Sequence, residues 1–287
     1  MSASFVTRFA PSPTGQLHRG HAFSALTAQE FARRKRGDFL LRIEDIDTTR
    51  CRPEYEAAIL EDLAWLGLEW EQPVRRQSEH MADYEAALEQ LRTKGLVYRC
   101  FKTRKDIADA AMSAPHGPAE PFRGGPIHPN EEDRWLSEDK SFAWRLSLDA
   151  AREVLGAEYH NLTFREEGEG PKGERGGHIK ARPDLAGDVV LARKDVGVAY
   201  HLAVVVDDAL QRVTHVVRGN DLFEATHTQR LLQALLGLKT PAYRHHRLLT
   251  DAQGRRFAKR DKAETLQAIR ESGVSAAQLK ADLGFAA

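Results

Sequence analysis

Two histidines three residues apart, His18 and His21, flank Gly20 in the stretch RFAPSPTGQLHRGHA at 8–22. Residues i and i+3 share one face of a helix, so both imidazoles would point the same way from a first turn. A first turn carries unpaired N–H groups and the positive end of the helix dipole, and it attracts anions. Two imidazoles there add donors for charge developing on a phosphate. Gly20, without a side chain, lets a flat ring lie against the backbone. The Pro-Ser-Pro-Thr-Gly loop before them fixes the entry, as a strand–loop–helix nucleotide site needs. Taken alone, two such histidines more often mark only an exposed helix start.

Further groups extend the chemistry. In LLRIEDIDTTRCRPEY, the carboxylates Glu44, Asp45 and Asp47 follow the end of an apolar strand, where open α/β sheets bind ligands. A carboxylate there can hold an ammonium group; Asp47 or Thr48 is read as a cap for the next segment. Tyr200 and Arg218 lie in VAYHLAVVVDD and VVRGNDL. A guanidinium makes a planar fork for a carboxylate, and a tyrosine hydroxyl adds a hydrogen bond. With Arg8 there are two guanidiniums, suited to a small amino acid with a second carboxylate. Asp221 is read as the cap of the following helix. DAQGRRFAKR places Arg255, Arg256, Lys259 and Arg260 in one basic loop, which by itself fits any solvated surface.

The elements that would position these residues alternate. A strand at 5–10 leads into a helix from about Leu17 to Arg36, with Gly37 at its C′ position. A strand at 39–43 is followed by a helix from Pro53 to Gly67 and another from Ser78 (its N-cap) to Gly95, then the strand LVYRC. This alternation predicts an α/β fold with a parallel sheet. TRKD at 103–106 reads as a capping-box start. SFAWRLSL alternates as a half-exposed strand, and 165–178 reads as a charged loop. The stretch of roughly 100–190 is expected to be an insertion outside the sheet. Beyond it, DVVLAR and VAYHLAVVVDD are expected as a hairpin pair, THVVRGND as a strand, 222–236 as a helix, and two short helices at the end.

The 287 residues carry 42 basic and 42 acidic side chains, so no global charge marks a nucleic-acid partner, although a local patch can. Two cysteines, Cys51 and Cys100, are too few for a disulfide framework and are expected as free thiols. No apolar run reaches membrane-spanning length and no secretory signal opens the chain. No membrane association and a cytoplasmic location are expected.

PSPTGQLHRGH resembles the H-I-G-H motif of class I aminoacyl-tRNA synthetases, and RFAPSP before it is similar to the glutamyl/glutaminyl subgroup. RIEDID, continued by LEDLAWLGLEWE, resembles the string in which the glutamyl enzymes bind the substrate amino group. The resemblance implies a class I synthetase Rossmann-like nucleotide-binding fold with a parallel sheet, interrupted by a smaller inserted domain. It implies a catalytic domain of 1–99 and 187–260, a connective insertion at 100–186, and a short helical tail at 261–287. For site residues it implies His18, His21 and Lys259 as catalytic, with Pro11, Gly20 and Arg256 joining them around ATP. Arg8, Ala10, Ser12, Glu44, Tyr200 and Arg218 would hold glutamate.

The basic loop is similar to the family's K-M-S-K-S loop, but Arg256 stands where the first Lys belongs and Ala258 replaces the Ser. Short relatives often carry a C-x-C pair; here the residues are Cys100-Phe101-Lys102, and His116 and His128 lack ligand spacing, so zinc is not expected. Mg²⁺ is expected only with ATP. The chain ends 28 residues after Lys259, leaving no room for the anticodon-reading region of discriminating enzymes. That length resembles a truncated paralogue that activates L-glutamate and transfers it to queuosine at the wobble position of tRNA(Asp). The tail ADLGFAA reads as a natural end, and a fragment of a longer enzyme is the other reading. Charging of tRNA(Glu) and a non-catalytic tRNA-binding adaptor are the alternatives, and a monomer is expected.

Overall fold

The structure, a computed structural model, describes residues 4–103, 105–107, 121–168, 176–194, 197–249 and 264–285. Strand β1 (Val6–Phe9) is buried at all four positions, Thr7 and Arg8 included, as a central parallel strand is. Helix α1 (Arg19–Arg34), strand β2 (Asp38–Ile43), helix α2 (Pro53–Trp65), strand β3 (Glu71–Arg76) and helix α3 (Met81–Thr93) follow. β1 pairs in parallel with β2, Val6 opposite Asp38, and β2 with β3. Sequence patterning misses β3 because EQPVRR has one aliphatic residue and a proline; at the sheet edge both are tolerated. The left-handed residue after α1 is Arg36 (φ 52°), not Gly37. Ser78 does not cap α3: it lies in a 3₁₀ turn, and its hydroxyl donates to Asp45 at 2.6 Å.

Strand β4 (Val97–Cys100) exists as expected but leaves the parallel sheet. It pairs antiparallel with β5 (Ala143–Leu146), after helix α4 (Pro129–Ser137). Helices α5 (Leu148–Leu155) and α6 (Ala157–Asn161) lead to the antiparallel pair β6 (Thr163–Glu166) and β7 (Gly177–Lys180). These strands take up both ends of the expected charged loop. β8 (Val190–Arg193) and β9 (Gly197–Val198) close the sheet β4-β5-β8-β9. Thr103 and Asp106 form the reciprocal pair expected of a capping box, at 2.7 and 3.1 Å.

Helix α7 (Tyr200–Leu210) corrects the strand expected at VAYHLAVVVDD. Every residue from Leu202 to Asp208 is buried. A helix covered on all sides shows no apolar–polar period, and its valines mimic a strand. β10 (His215–Gly219), α8 (Phe223–Leu236) and β11 (Ala242–His246) follow, then α9 (Leu266–Glu271) and α10 (Ala276–Asp282). β10 pairs in parallel with β11, and β11 with β6. Strand β6 therefore corrects the expectation that 100–190 stays outside the sheet.

β1 and β10 begin side by side. The Val6 amide donates to Thr214 Oγ1 at 2.8 Å, and the Thr214 amide to Val6 O at 3.0 Å. Across this junction the strands run β3-β2-β1-β10-β11-β6-β7. Strand order reverses between β1 and β10, and such a switch point opens a crevice at the strand ends. One apolar core packs α1 and α2 with Leu266, Ile269 and Leu279 of the C-terminal helices; the other packs α3, α7 and α8. No helix among the described residues is long and apolar enough to cross a membrane. Cys51 and Cys100 are free thiols.

Candidate active site

A cleft of 520 Å³ lies at the switch point, a size suited to a small-molecule ligand. β1 and the loop after it bring Arg8, Ala10, Pro11 and Ser12 to its wall. The start of α1 brings His18, Gly20 and His21; β2 brings Glu44; α7 brings Tyr200; β10 brings Arg218. Every expected site residue within the described segments thus lines one cleft. Arg256 and Lys259 lie outside the described residues. The described residues beside that segment are at the cleft: Leu249 lines it, and Thr265 bridges to His18.

The histidine pair is a capping box. His18 is the N-cap of α1, and its Nδ1 accepts the Gly20 amide at 3.1 Å. His21 Nδ1 accepts the His18 amide, also at 3.1 Å. Each Nδ1 is an acceptor, which makes Nε2 the protonated nitrogen of the neutral ring. The rings stack at 3.8 Å between centroids. A Cβ on Gly20 would sit 2.9 Å from His18 Cε1, so a side chain there would displace the capping imidazole. The Gly20, His21 and Ala22 amides are taken up within the first turn, so what the start of α1 offers to phosphate oxygens is the imidazole Nε2–H groups and the positive end of the helix dipole.

The first half of the sheet carries a closed charge network. Asp208 accepts from Arg8 Nε at 3.1 Å and from Arg42 Nη1 at 2.8 Å, while Arg42 Nη2 reaches Glu44 at 3.0 Å. All four side chains are buried. Burial opposes the charge of Arg42, but Asp208, Glu44 and Asp207 outweigh it and keep the guanidinium charged. Burial would raise the Asp208 carboxyl, yet Arg8 and Arg42 hold it below the usual range. Burial pushes Glu44 up, only partly offset by Arg42 and Arg8. Asp207 extends the network to Arg75 at 2.7 Å and Gln77 at 2.8 Å.

The second half is different. Arg218, 4% exposed, donates to His245 Nε2 at 3.1 Å, Tyr200 Oη at 3.3 Å and Thr226 Oγ1 at 2.7 Å. The Tyr243 ring lies 5.4 Å from the guanidinium carbon. Those partners are neutral, and among the described residues no carboxylate pairs with Arg218. A buried cation without a counter-ion is costly, and the cleft it borders is where an anion can supply one. Its field is felt nearby: burial and then Arg218 pull His201 down to about 4.

Asp221 does not cap α8, whose N-cap is Leu222 without a side-chain bond. It lines the cleft, with its Oδ1 2.5 Å from where a Gly219 Cβ would stand. Asp47 behaves as expected, accepting from the Thr49 amide and hydroxyl at 3.2 and 2.6 Å. Four further residues of these networks, Asp208, Arg42, Thr226 and His245, are not singled out by motif or spacing. Of these only Asp208 has a local signal, the acidic pair that ends the apolar run VVVDD.

A second cavity of 820 Å³ adjoins the first and shares Ser12, Thr14, Glu44, Arg50 and Tyr200 with it. It opens toward the antiparallel sheet, where Phe101, Phe142, Lys102, Arg145 and Arg193 line it.

The catalytic-domain family described as tRNA synthetases class I (E and Q) matches residues 4–141 and 170–281. A glutamyl-Q tRNA(Asp) synthetase from Rhodobacter capsulatus is 47% identical over 98% of this chain and 100% of its own length. Another from Nocardia farcinica is 41% identical over 96% of this chain and 82% of its own. A crystal structure of a glutamate tRNA ligase from Elizabethkingia meningosepticum, in complex with its amino acid, superposes with a TM-score of 0.73 at 26% identity. That match covers 90% of this chain and 52% of the other, so the chain spans about half of that ligase.

Proposed function

Because this chain belongs to the class I tRNA synthetases of the E and Q group, we propose that it activates L-glutamate with ATP and transfers it to queuosine in tRNA(Asp). The observation that carries the glutamate assignment is Arg218, a buried guanidinium on the wall of the cleft that has no carboxylate partner among the described residues. The side-chain carboxylate of glutamate supplies that partner, with Tyr200 adding a hydrogen bond. Glu44 holds the amino group, and Arg8, Ala10 and Ser12 line the rest of the pocket.

The α-carboxylate of glutamate then attacks the α-phosphorus of ATP in line. A new C–O–P link forms, the bond to the β-phosphate oxygen breaks, and pyrophosphate leaves. His18 and His21 donate from Nε2 to the phosphate oxygens at the positive end of α1, with Pro11 and Gly20 shaping the floor. Arg256 and Lys259, by resemblance, add positive charge over the phosphates. No protein nucleophile takes part; the chemistry is positioning and charge stabilisation. Mg²⁺ would accompany the ATP phosphates, and no residue of the chain is assigned to hold it. It would neutralise phosphate charge.

In the second step a queuosine hydroxyl attacks the glutamyl carbonyl and AMP leaves. The adjoining cavity suits an unstacked base: Phe101 and Phe142 offer ring faces, and Lys102, Arg145 and Arg193 offer charge for phosphates. The enzyme works as a monomer in the cytoplasm. Its exposed large hydrophobics among the described residues, Val154, Leu185 and Leu210, are few, and scattered apolar residues do not make an interface. The test is transfer of labelled glutamate to tRNA(Asp) with and without queuosine, beside tRNA(Glu). Labelling of queuosine-containing tRNA(Asp) alone is expected. Labelling of tRNA(Glu) instead would replace the acceptor, and no labelling of any tRNA would leave an adaptor.

A further inference from the structure

We infer that Glu166 and His245 are positioning residues for the glutamate site, acting through Arg218. This rests on the proposed role of Arg218 and extends it to two residues that do not line the cleft. His245, on β11, is fully buried with Glu166, on β6. Glu166 Oε2 lies 2.6 Å from His245 Nδ1, and Oε1 accepts the amides of His245 at 2.9 Å and Gly168 at 2.8 Å. A carboxylate accepts only, so the imidazole proton is on Nδ1. Nε2 is then a lone pair, and it faces Arg218 Nε at 3.1 Å. The chain of donors runs one way: Arg218 to His245 to Glu166. The tautomer set by Glu166 makes His245 an acceptor for the guanidinium, and this fixes the plane in which Arg218 meets its ligand.

The backbone is shaped for this contact. A Cβ on Gly168 would stand 2.1 Å from the His245 carbonyl oxygen and 3.0 Å from Glu166 Oε1. Only glycine lets the chain after β6 come close enough to hold the carboxylate with its amide. β6 also belongs to the stretch between β4 and β8, so that stretch controls a guanidinium on β10. Tyr200 and Thr226 hold the other two edges of Arg218, which leaves the Nε edge to His245.

Glu166→Gln makes the sharpest change. The two backbone amides keep an oxygen at the Oε1 position, so the new NH₂ faces His245 Nδ1. The ring proton must move to Nε2, where it opposes the Arg218 Nε–H. His245→Leu removes the acceptor; His245→Gln can restore it, because the Gln Oε1 reaches the Nε2 position.

The first measurement is side-chain ¹⁵N NMR of His245 in the substrate-free protein. The wild type is expected to carry its proton on Nδ1, and Glu166→Gln on Nε2. A wild-type Nε2–H tautomer would overturn the proposal whatever the protein's activity. The second is glutamate-dependent ATP–pyrophosphate exchange, with thermal melting of each variant. His245→Leu and Glu166→Gln are expected to raise the glutamate KM about 10- to 100-fold, with kcat changed less than about 3-fold; His245→Gln should recover most of the loss. Equal KM values for Leu and Gln at position 245, or a loss confined to kcat and melting temperature, would mean a structural role only. Arg218→Ala in the same assay separates the two claims. If it alone raises KM, the relay is wrong and the glutamate site stands; if it changes nothing, the site reading itself fails.

Discussion

Two guanidiniums border the same cleft, and their surroundings are opposite. Arg8 is tied to Asp208, which also holds Arg42, so its charge is cancelled inside the protein. Arg218 is held as firmly, but by a histidine, a tyrosine and a threonine. The first arrangement serves the fold, joining α7 to β1 and β2. The second holds, at a fixed position, a charge that has no carboxylate partner among the described residues, which is what recognition of an anionic group needs. The two arginines are thus told apart by their partners: a carboxylate ties Arg8 into the fold at the edge of the cleft, and neutral groups leave Arg218 suited to an anionic ligand.

The largest effect should come from breaking the cancelled side. Asp208→Ala leaves Arg8 and Arg42 buried without their shared carboxylate, and unfolding in denaturant should show a loss of about 3–5 kcal/mol. A loss below about 1 kcal/mol would mean the network is not the tie between the halves. On the other side, Arg218→Met should raise the glutamate KM about 10²- to 10³-fold. Its unfolding free energy should change by less than about 1 kcal/mol, or rise, because an uncompensated buried cation is removed. A destabilisation as large as that of Asp208→Ala would erase the contrast.

Acid should strike the two sides in sequence. His201 is held down to about 4 from 6.5 by burial and by Arg218, and burial lowers His245 and His246 too. Between those values the unfolded chain binds protons that the fold refuses, so stability falls as pH falls, by up to about 3 kcal/mol for His201 near the foot of the window. Asp208, held below 3.8, contributes stability that persists above that value and is lost only below it. Denaturant unfolding from about pH 7 to about pH 4 should lose part of this slope in His201→Asn. Equal slopes in the two proteins would remove His201 from the account. The smallest effect is Tyr200→Phe: losing one 3.3 Å bond to Arg218 should raise the glutamate KM about 3- to 10-fold with the fold intact, by melting and exchange kinetics.

Much of this was legible in the sequence where local rules act. The Pro-Ser-Pro-Thr-Gly break, the histidines three residues apart and the carboxylates after β2 all declare a strand–loop–helix site, and Pro11, Ser12, Thr14, His18, His21 and Glu44 line one cleft, while Asp45 and Asp47 do not. What stayed hidden depends on distant partners or on full burial. β3 carries too little apolar pattern because it is an edge strand. α7 looked like a strand because no face of it meets water between Leu202 and Asp208. The Glu166–His245 contact joins residues 79 positions apart, and nothing in REEGEG or RHHR announces it. Asp221 looked like a helix cap by type and place, yet it lines the cleft.

The central claim is that the unpaired charge of Arg218 selects a side-chain carboxylate. ATP–pyrophosphate exchange without tRNA, comparing glutamate with glutamine and aspartate, tests it most directly. Glutamate-dependent exchange with kcat/KM at least ~10²-fold above glutamine is the result expected, since an uncharged amide would leave the guanidinium without its counter-ion. Exchange that is equal for glutamine, or that responds to neither amino acid, would contradict it.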